Sequence, residues 1–326
     1  MGKVTILGAG GWGLALALTL HKNSHKVTVW SPFAEEVALL REKRTNERLL
    51  KGIIIPEDIE ITGDISVVSD DDVIVIATPS FAVRETAARL KEVPFSGIIV
   101  NVAKGFEQSS LKRLSQVIAE ELPNKSITVL SGPSHAEEVA CEIPTMLTVS
   151  GKNAQDLKTV QQFFSNEFLR VYTNPDIIGV ELGGALKNII AVAAGVCDGM
   201  GLGDNSKAAL ITRGLAEMSR LGEALGATSH TFMGLTGMGD LIVTCTSVHS
   251  RNHRFGELVG AGKPIDEALA TVGTVEGYFA CAAAHELAKN NNVSMPITEN
   301  CYQLLYQSHK VDDIVGTLML RPFKEE

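Results

Sequence analysis

Residues 4–13 read VTILGAGGWG: the apolar run Val4-Thr5-Ile6-Leu7 enters a turn, Gly8-Ala9-Gly10-Gly11-Trp12-Gly13, and an Ala/Leu-rich stretch continues to His21. The order is strand, glycine turn, helix. In that setting Gly8 makes the tight turn, Gly10 lets the backbone approach a pyrophosphate, and Gly13 lets the helix pack on the strand. The N-terminus of the helix then presents N–H groups to phosphate oxygens. A glycine-rich packing turn is the alternative reading. Dinucleotide binding is favoured because a second apolar strand, Lys26-Val-Thr-Val-Trp30, follows the helix.

The first half continues in the same alternation. Further strand-like runs occur at Val73–Ile76, Ile98–Val102, Ile127–Leu130, Met146–Val149 and Phe168–Tyr172, separated by helical stretches. This pattern predicts a mostly parallel, doubly wound sheet. Loops follow several of these strands, at Ala77-Thr78-Pro79-Ser80, Ala103-Lys104-Gly105 and Ser131-Gly132-Pro133-Ser134. In open parallel sheets the ligand crevice lies outside the carboxyl ends of the strands, which makes Lys104 a candidate ligand contact rather than a solvated turn residue. From Glu181 onward helical patterns dominate, at 181–197, 206–225, 266–270, 278–289 and near 298–319. The expected fold is α/β: a Rossmann-like dinucleotide-binding domain over 1–180, then an all-α substrate and catalytic domain over 181–326.

The run LGGALKNIIAVAAGVC, from Leu182 to Cys197, carries one charged side chain, Lys187. An ammonium buried there needs a depressed pKa, a paired anion or a bound ligand. Two readings fit: a functional lysine, or a rim lysine with a buried stem and a solvated head. Gly183, Gly184 and Ala191 lie one turn away on its face, where a ligand could approach. A membrane span is not expected, because the run falls short of the roughly 20 residues a bilayer needs and contains the charge. Further on, Asp240 follows the glycine-rich Thr236-Gly237-Met238-Gly239, and Ser250-Arg251-Asn252 offers a hydroxyl, a guanidinium and an amide suited to phosphate oxygens. A helix cap and a polar helix start are the plainer readings of these two.

Composition narrows the function classes. The chain has 326 residues, a formal net charge of −9 and a pI near 5.5. That balance argues against nucleic acid or an anionic membrane as the main partner, while a small anionic substrate in a local cationic pocket is compatible with it. The start, MGKVTILGAG, runs straight into a strand, so neither a signal nor a transit peptide is expected, and the expected location is the cytoplasm. The five cysteines are odd in number, widely spaced and free of CxxC pairs, which fits reduced thiols; Cys245, beside Thr244 and Thr246, is either a reactive thiol or a small buried hydrophobe. His249 and His253 stand four apart, but no glutamate follows His249 as in a zinc-protease helix, and no metal is expected.

These segments, with Lys104-Gly105, Glu181-Leu-Gly-Gly-Ala-Leu-Lys187-Asn188, Thr212 to Met218, Gly237-Met-Gly-Asp240-Leu, Ser250 to Gly256 and Val275-Glu276-Gly277, occur in the order seen in NAD(P)-dependent glycerol-3-phosphate dehydrogenases of the bacterial soluble type. The resemblance covers nearly the whole chain. It implies reversible reduction of dihydroxyacetone phosphate to sn-glycerol 3-phosphate with NAD(P)H, for phospholipid precursor supply, by a cytoplasmic homodimer. It further implies that Lys187 is the proton donor or acceptor at the carbonyl oxygen, that Lys104 touches substrate and cofactor, and that Asp240 orients Lys187 or a substrate hydroxyl. Gly132, Ser134, Ser250, Arg251 and Asn252 resemble substrate contacts, with Arg251 also near the cofactor. Gly11, Trp12, Ala136 and Glu276 match cofactor-side positions. The chain departs at Ser31-Pro32-Phe33. Many members of the family it resembles carry histidine or arginine at or beside position 32, whereas the proline here donates no hydrogen bond. Arg41 and Arg44 lie further along a helical stretch, as a solvated face or as phosphate partners. With Pro32 at the cofactor position, only weak kinetic discrimination between NADH and NADPH is expected.

Overall fold

The computed structural model describes residues 1–311 together with Asp313, Gly316, Leu320 and Pro322. The chain divides into two units, Met1–Glu181 and Leu182–Glu326.

The first unit is built on ten strands: β1 (Lys3–Leu7), β2 (Lys26–Trp30), β3 (Thr45–Asn46), β4 (Leu50–Ile54), β5 (Glu60–Thr62), β6 (Val73–Ile76), β7 (Ile98–Asn101), β8 (Ile127–Ser131), β9 (Thr145–Gly151) and β10 (Leu169–Asn174). Its helices are α1 (Gly11–Lys22), α2 (Ala34–Lys43), α3 (Val83–Arg89), α4 (Leu114–Glu121), α5 (Ala136–Ala140) and α6 (Ala154–Phe164). Eight strands form one sheet in the order β10-β9-β8-β7-β6-β1-β2-β5; β8 and β9 run antiparallel and the other neighbours parallel. The strand order reverses at β1, so the turn after β1 opens at the switch point where such sheets bind ligands.

Both faces of this sheet are covered. Along β6, Val73 and Val75 join the core that includes Leu14, Leu16 and Leu20 of α1, while Ile74 and Ile76 join the one that includes Val83 and Ala87 of α3 and Leu114 and Ile118 of α4. Alternate residues facing opposite layers explain why this strand reads as an unbroken apolar run. The hairpin β3–β4 and the strand β5 were not legible beforehand. Their short runs, such as Glu60-Ile-Thr62, carry little periodicity.

The second unit is helical. It contains most of α7 (Ile177–Gly199), then α8 (Gly203–Ala224), α9 (Ser229–Phe232), α10 (Asp240–Thr246), α11 (Arg251–Gly260), α12 (Ile265–Val272), α13 (Glu276–Asn290) and α14 (Pro296–Tyr306). Of the helix expected near 298–319, residues 312, 314–315 and 317–319 lie outside the described residues. Helix α7 is longer than the apolar run suggested. It begins at Ile177, where the Asp176 carboxylate accepts from the Gly179 N–H at 2.9 Å. At 23 residues it is long and apolar enough to cross a bilayer, so length does not exclude a span; 83% of its most apolar window is buried inside the protein, which makes it a core helix.

Small residues on α7 serve backbone contact within the protein, not the ligand approach expected at Gly183. A Cβ on Gly183 would lie 2.4 Å from the Thr236 carbonyl oxygen, in the π-helical turn Leu235–Gly239. That turn leads directly into α10, so the missing side chain sets how closely Asp240 can approach Lys187.

Candidate functional site

In the first unit the glycine turn has a distinct geometry at each position. Gly8 has φ +125°, which disfavours an L side chain, and a Cβ on Gly13 would stand 2.2 Å from the Gly8 carbonyl oxygen. A Cβ on Gly10, by contrast, would meet no other atom within 4 Å, so packing alone does not demand glycine there. Gly10 is the N-cap of α1 and makes no side-chain cap hydrogen bond, leaving the first-turn N–H groups to face an anion. These features fit the pyrophosphate of a dinucleotide. Gly11, Trp12 and Ala136 gather beside the turn: a Cβ on Gly11 would lie 3.7 Å from the Ala136 Cβ and 2.7 Å from the Leu49 carbonyl oxygen, and Trp12 and Ala136 pack against the adjoining core. Pro32 is exposed at the end of β2.

The loops after β7 and β8 bring three more predicted residues together. Lys104 Nζ donates to the Gly132 carbonyl oxygen at 2.9 Å and to Ser134 Oγ at 3.4 Å, and Ser134 Oγ donates to the same carbonyl at 2.9 Å. All three belong to one polar cluster at the carboxyl end of the sheet.

In the second unit Lys187 is buried, with its side chain 7% exposed, which removes the rim reading. Its Nζ donates to Asp240 Oδ1 at 2.7 Å and to Thr244 Oγ1 at 2.5 Å. Thr244 Oγ1 donates in turn to the Asp240 carbonyl oxygen at 2.6 Å, so one turn of α10 presents both partners. Lysine is therefore paired rather than alone, and Asp240, the first residue of α10, does more than cap it. Thr244 was missed. Its signal is the Asp240-x-x-x-Thr244 spacing, which places both residues on one helical face.

The Ser250-Arg251-Asn252 run is not a set of three equivalent donors. Ser250 is the N-cap of α11 and accepts from the His253 N–H at 3.2 Å. Arg251 is exposed. Asn252 braces three helices: its Nδ2 donates to Asn188 Oδ1 on α7 at 2.9 Å, and its Oδ1 accepts from the Gly277 N–H on α13 at 2.8 Å. Glu276 is half-buried at the first position of α13. The other flagged groups are accounted for structurally. Cys245 is buried, and desolvation pushes its thiol up to about 12, which suits an inert side chain. His253 Nε2 lies 2.8 Å from Asp198 Oδ2, which also accepts from Lys207 Nζ at 3.0 Å.

Residues 3–157 match the family described as NAD-dependent glycerol-3-phosphate dehydrogenase N-terminus, and residues 176–316 match the corresponding C-terminus. The chain belongs to the NAD-dependent glycerol-3-phosphate dehydrogenase family. Among curated members, the glycerol-3-phosphate dehydrogenase [NAD(P)+] of Desulfitobacterium hafniense is 49% identical over 328 residues, covering 100% of this chain and 93% of the relative. The enzyme of the same name from Bacillus subtilis is 51% identical, covering 98% of this chain and 95% of the relative. The crystal structure of glycerol-3-phosphate dehydrogenase from Coxiella burnetii superposes with a TM-score of 0.94 at 38% identity, covering 98% of this chain and 99% of that one. As a member of this dehydrogenase family the protein is an NAD(P)-dependent oxidoreductase.

Proposed function

We propose that the protein interconverts dihydroxyacetone phosphate and sn-glycerol 3-phosphate. Bound NAD(P)H supplies the hydride for the carbonyl carbon. Lys187 Nζ delivers the proton to the carbonyl oxygen, and in the reverse direction the same nitrogen, deprotonated, accepts it from the hydroxyl. Asp240 and Thr244 fix Nζ in place, so little reorganisation is needed as negative charge develops on the oxygen. Lys104, held by Gly132 and Ser134, contacts substrate and cofactor. Arg251 and the Ser250 hydroxyl bind the phosphate, with Asn252 keeping their helix in register through Asn188 and Gly277. Gly8, Gly10, Gly11, Trp12, Gly13, Pro32, Ala136, Arg251 and Glu276 line the dinucleotide. In this reading residues 1–180 hold the cofactor and 181–326 carry the substrate chemistry.

The observation that carries the proposal is the burial of Lys187 against Asp240 and Thr244 in a chain of this family. The test is oxidation of NADH and NADPH by the purified protein with dihydroxyacetone phosphate and with unphosphorylated dihydroxyacetone. Turnover restricted to the phosphorylated ketone supports the reading; none with either ketone would leave a dinucleotide-binding protein without this activity. The same reading places a homodimer in the cytoplasm, its product feeding phospholipid backbone synthesis. Light scattering on the eluted protein checks the dimer.

A further inference from the structure

The end of β2 argues against the weak discrimination between NADH and NADPH expected from Pro32, once its hydrogen-bond donors are followed one by one. In a dinucleotide fold this strand end faces the adenosine ribose, where a 2′-hydroxyl needs an acceptor and a 2′-phosphate needs donors or a cation. The Ser31 N–H is used by the Thr62 carbonyl oxygen at 3.1 Å, within the β2–β5 pairing. The Ser31 hydroxyl donates to Glu36 Oε2 at 2.5 Å. Pro32 has no N–H to give. The Phe33 N–H donates to Ser31 Oγ at 3.2 Å.

Arg41 and Arg44, further along the chain, both hold backbone carbonyl oxygens. Arg41 Nε donates to the Ile61 carbonyl oxygen at 2.6 Å. Arg44 Nη1 donates to the carbonyl oxygens of Ile59 and Pro56 at 2.7 and 3.3 Å, Nη2 donates to that of Glu57 at 3.3 Å, and Nε lies 3.2 Å from Glu57 Oε2. Helix α2 offers no better anion site, because Glu35 and Glu36 occupy its first turn and already complement its dipole. The strand end thus presents a half-buried carboxylate, fixed by Ser31, and little to receive a dianion.

We propose that Glu36, held by Ser31, selects NAD(H) over NADP(H) by excluding the 2′-phosphate. This rests on the NAD(P)-dependent reading above and sharpens it. Calorimetric titration with NADH and NADPH tests it without turnover. The native protein is expected to bind NADH at least about thirtyfold more tightly, equivalent to about 2 kcal/mol. Glu36→Gln keeps a similar shape without the charge and should narrow the ratio to about fivefold or less, mainly by tightening NADPH. Equal or tighter binding of NADPH by the native protein would overturn the proposal, and so would an unchanged ratio in a Glu36→Gln protein whose thermal melt shows it folded. The native ratio stands as a test even if the variant does not fold. Binding of neither dinucleotide would instead remove the cofactor assignment itself, a distinct result.

Discussion

Replacing Lys187 by methionine removes the cation that faces Asp240 while keeping most of the apolar stem. At 2.7 Å the Coulomb attraction of the pair is about 6 kcal/mol for an effective dielectric of 20. Desolvating two ions offsets this by several kcal/mol each, so the intact pair is expected to be close to neutral for stability. A single substitution is different, because it leaves an uncompensated charge where Asp240 is only 1% exposed. Lys187→Met and Asp240→Asn should therefore each destabilise the protein by about 3–5 kcal/mol, whereas the double variant should return to within about 1–2 kcal/mol of the native protein. Urea unfolding followed by circular dichroism, with the transitions of the two units fitted separately, measures the cycle. In the same proteins kcat with dihydroxyacetone phosphate should fall by about a thousandfold or more in Lys187→Met and in the double variant, with NADH affinity nearly unchanged. Additive stability losses with no recovery in the double variant would refute the pairing as the reason Lys187 is tolerated in the core. A Lys187→Met protein retaining kcat within tenfold would remove the lysine from catalysis.

Three further outcomes follow from individual contacts. Thr244→Val deletes the hydroxyl 2.5 Å from Lys187 Nζ and should lower kcat by about ten- to a hundredfold, with dinucleotide binding by calorimetry unchanged. Arg251→Ala should mainly raise KM for the phosphorylated ketone, by about tenfold or more, as read from initial rates; an unchanged KM would place the phosphate elsewhere. Burial pushes the Asp71 carboxyl up from 3.8 to about 6. The folded state then holds this proton more tightly than the unfolded chain, so the contribution of Asp71 to stability declines as pH rises from about 4 to 6 and is a net cost above that range. Asp71→Asn should accordingly stabilise the protein at pH 7.5 by about 1–2 kcal/mol after allowance for solvent screening, and not at pH 4, in denaturation at the two pH values.

Local features were the legible ones. The turn Gly8 to Gly13 could be read because strand, turn and helix are contiguous and each glycine meets a separate requirement. Lys187 stood out because one charge interrupts an apolar run. Of what closes around Lys187, Asp240 came only through the family resemblance and Thr244 not at all, since the two are 53 and 57 residues away and lie on a seven-residue helix too short to show a period. The polar run and the family resemblance both make Asn252 a substrate contact. Its partners, Asn188 and Gly277, come from two other helices and could not be inferred from spacing. The length argument against a membrane span failed for a related reason. An aspartate cap begins α7 five residues before the apolar run at Leu182, and only the packing around the helix decides its surroundings.

The buried pair on α7 and α10 is not explained by stability. Apolar residues of similar volume are commonly as stabilising as a buried ion pair, or more so, and an exposed pair contributes at most about 1 kcal/mol. Conformational placement is what the pair adds. A solvated lysine samples many rotamers, whereas Nζ here is bonded to two groups one helical turn apart, on a segment that follows the turn packed against Gly183. A proton donor that must meet an oxygen whose charge grows during reaction benefits from such fixation. If fixation is the reason, Asp240→Asn, which keeps a hydrogen-bond acceptor for Nζ but loses the charge, should retain more kcat than Asp240→Ala in initial-rate assays. Equal losses in the two variants would assign the role of Asp240 to its charge alone.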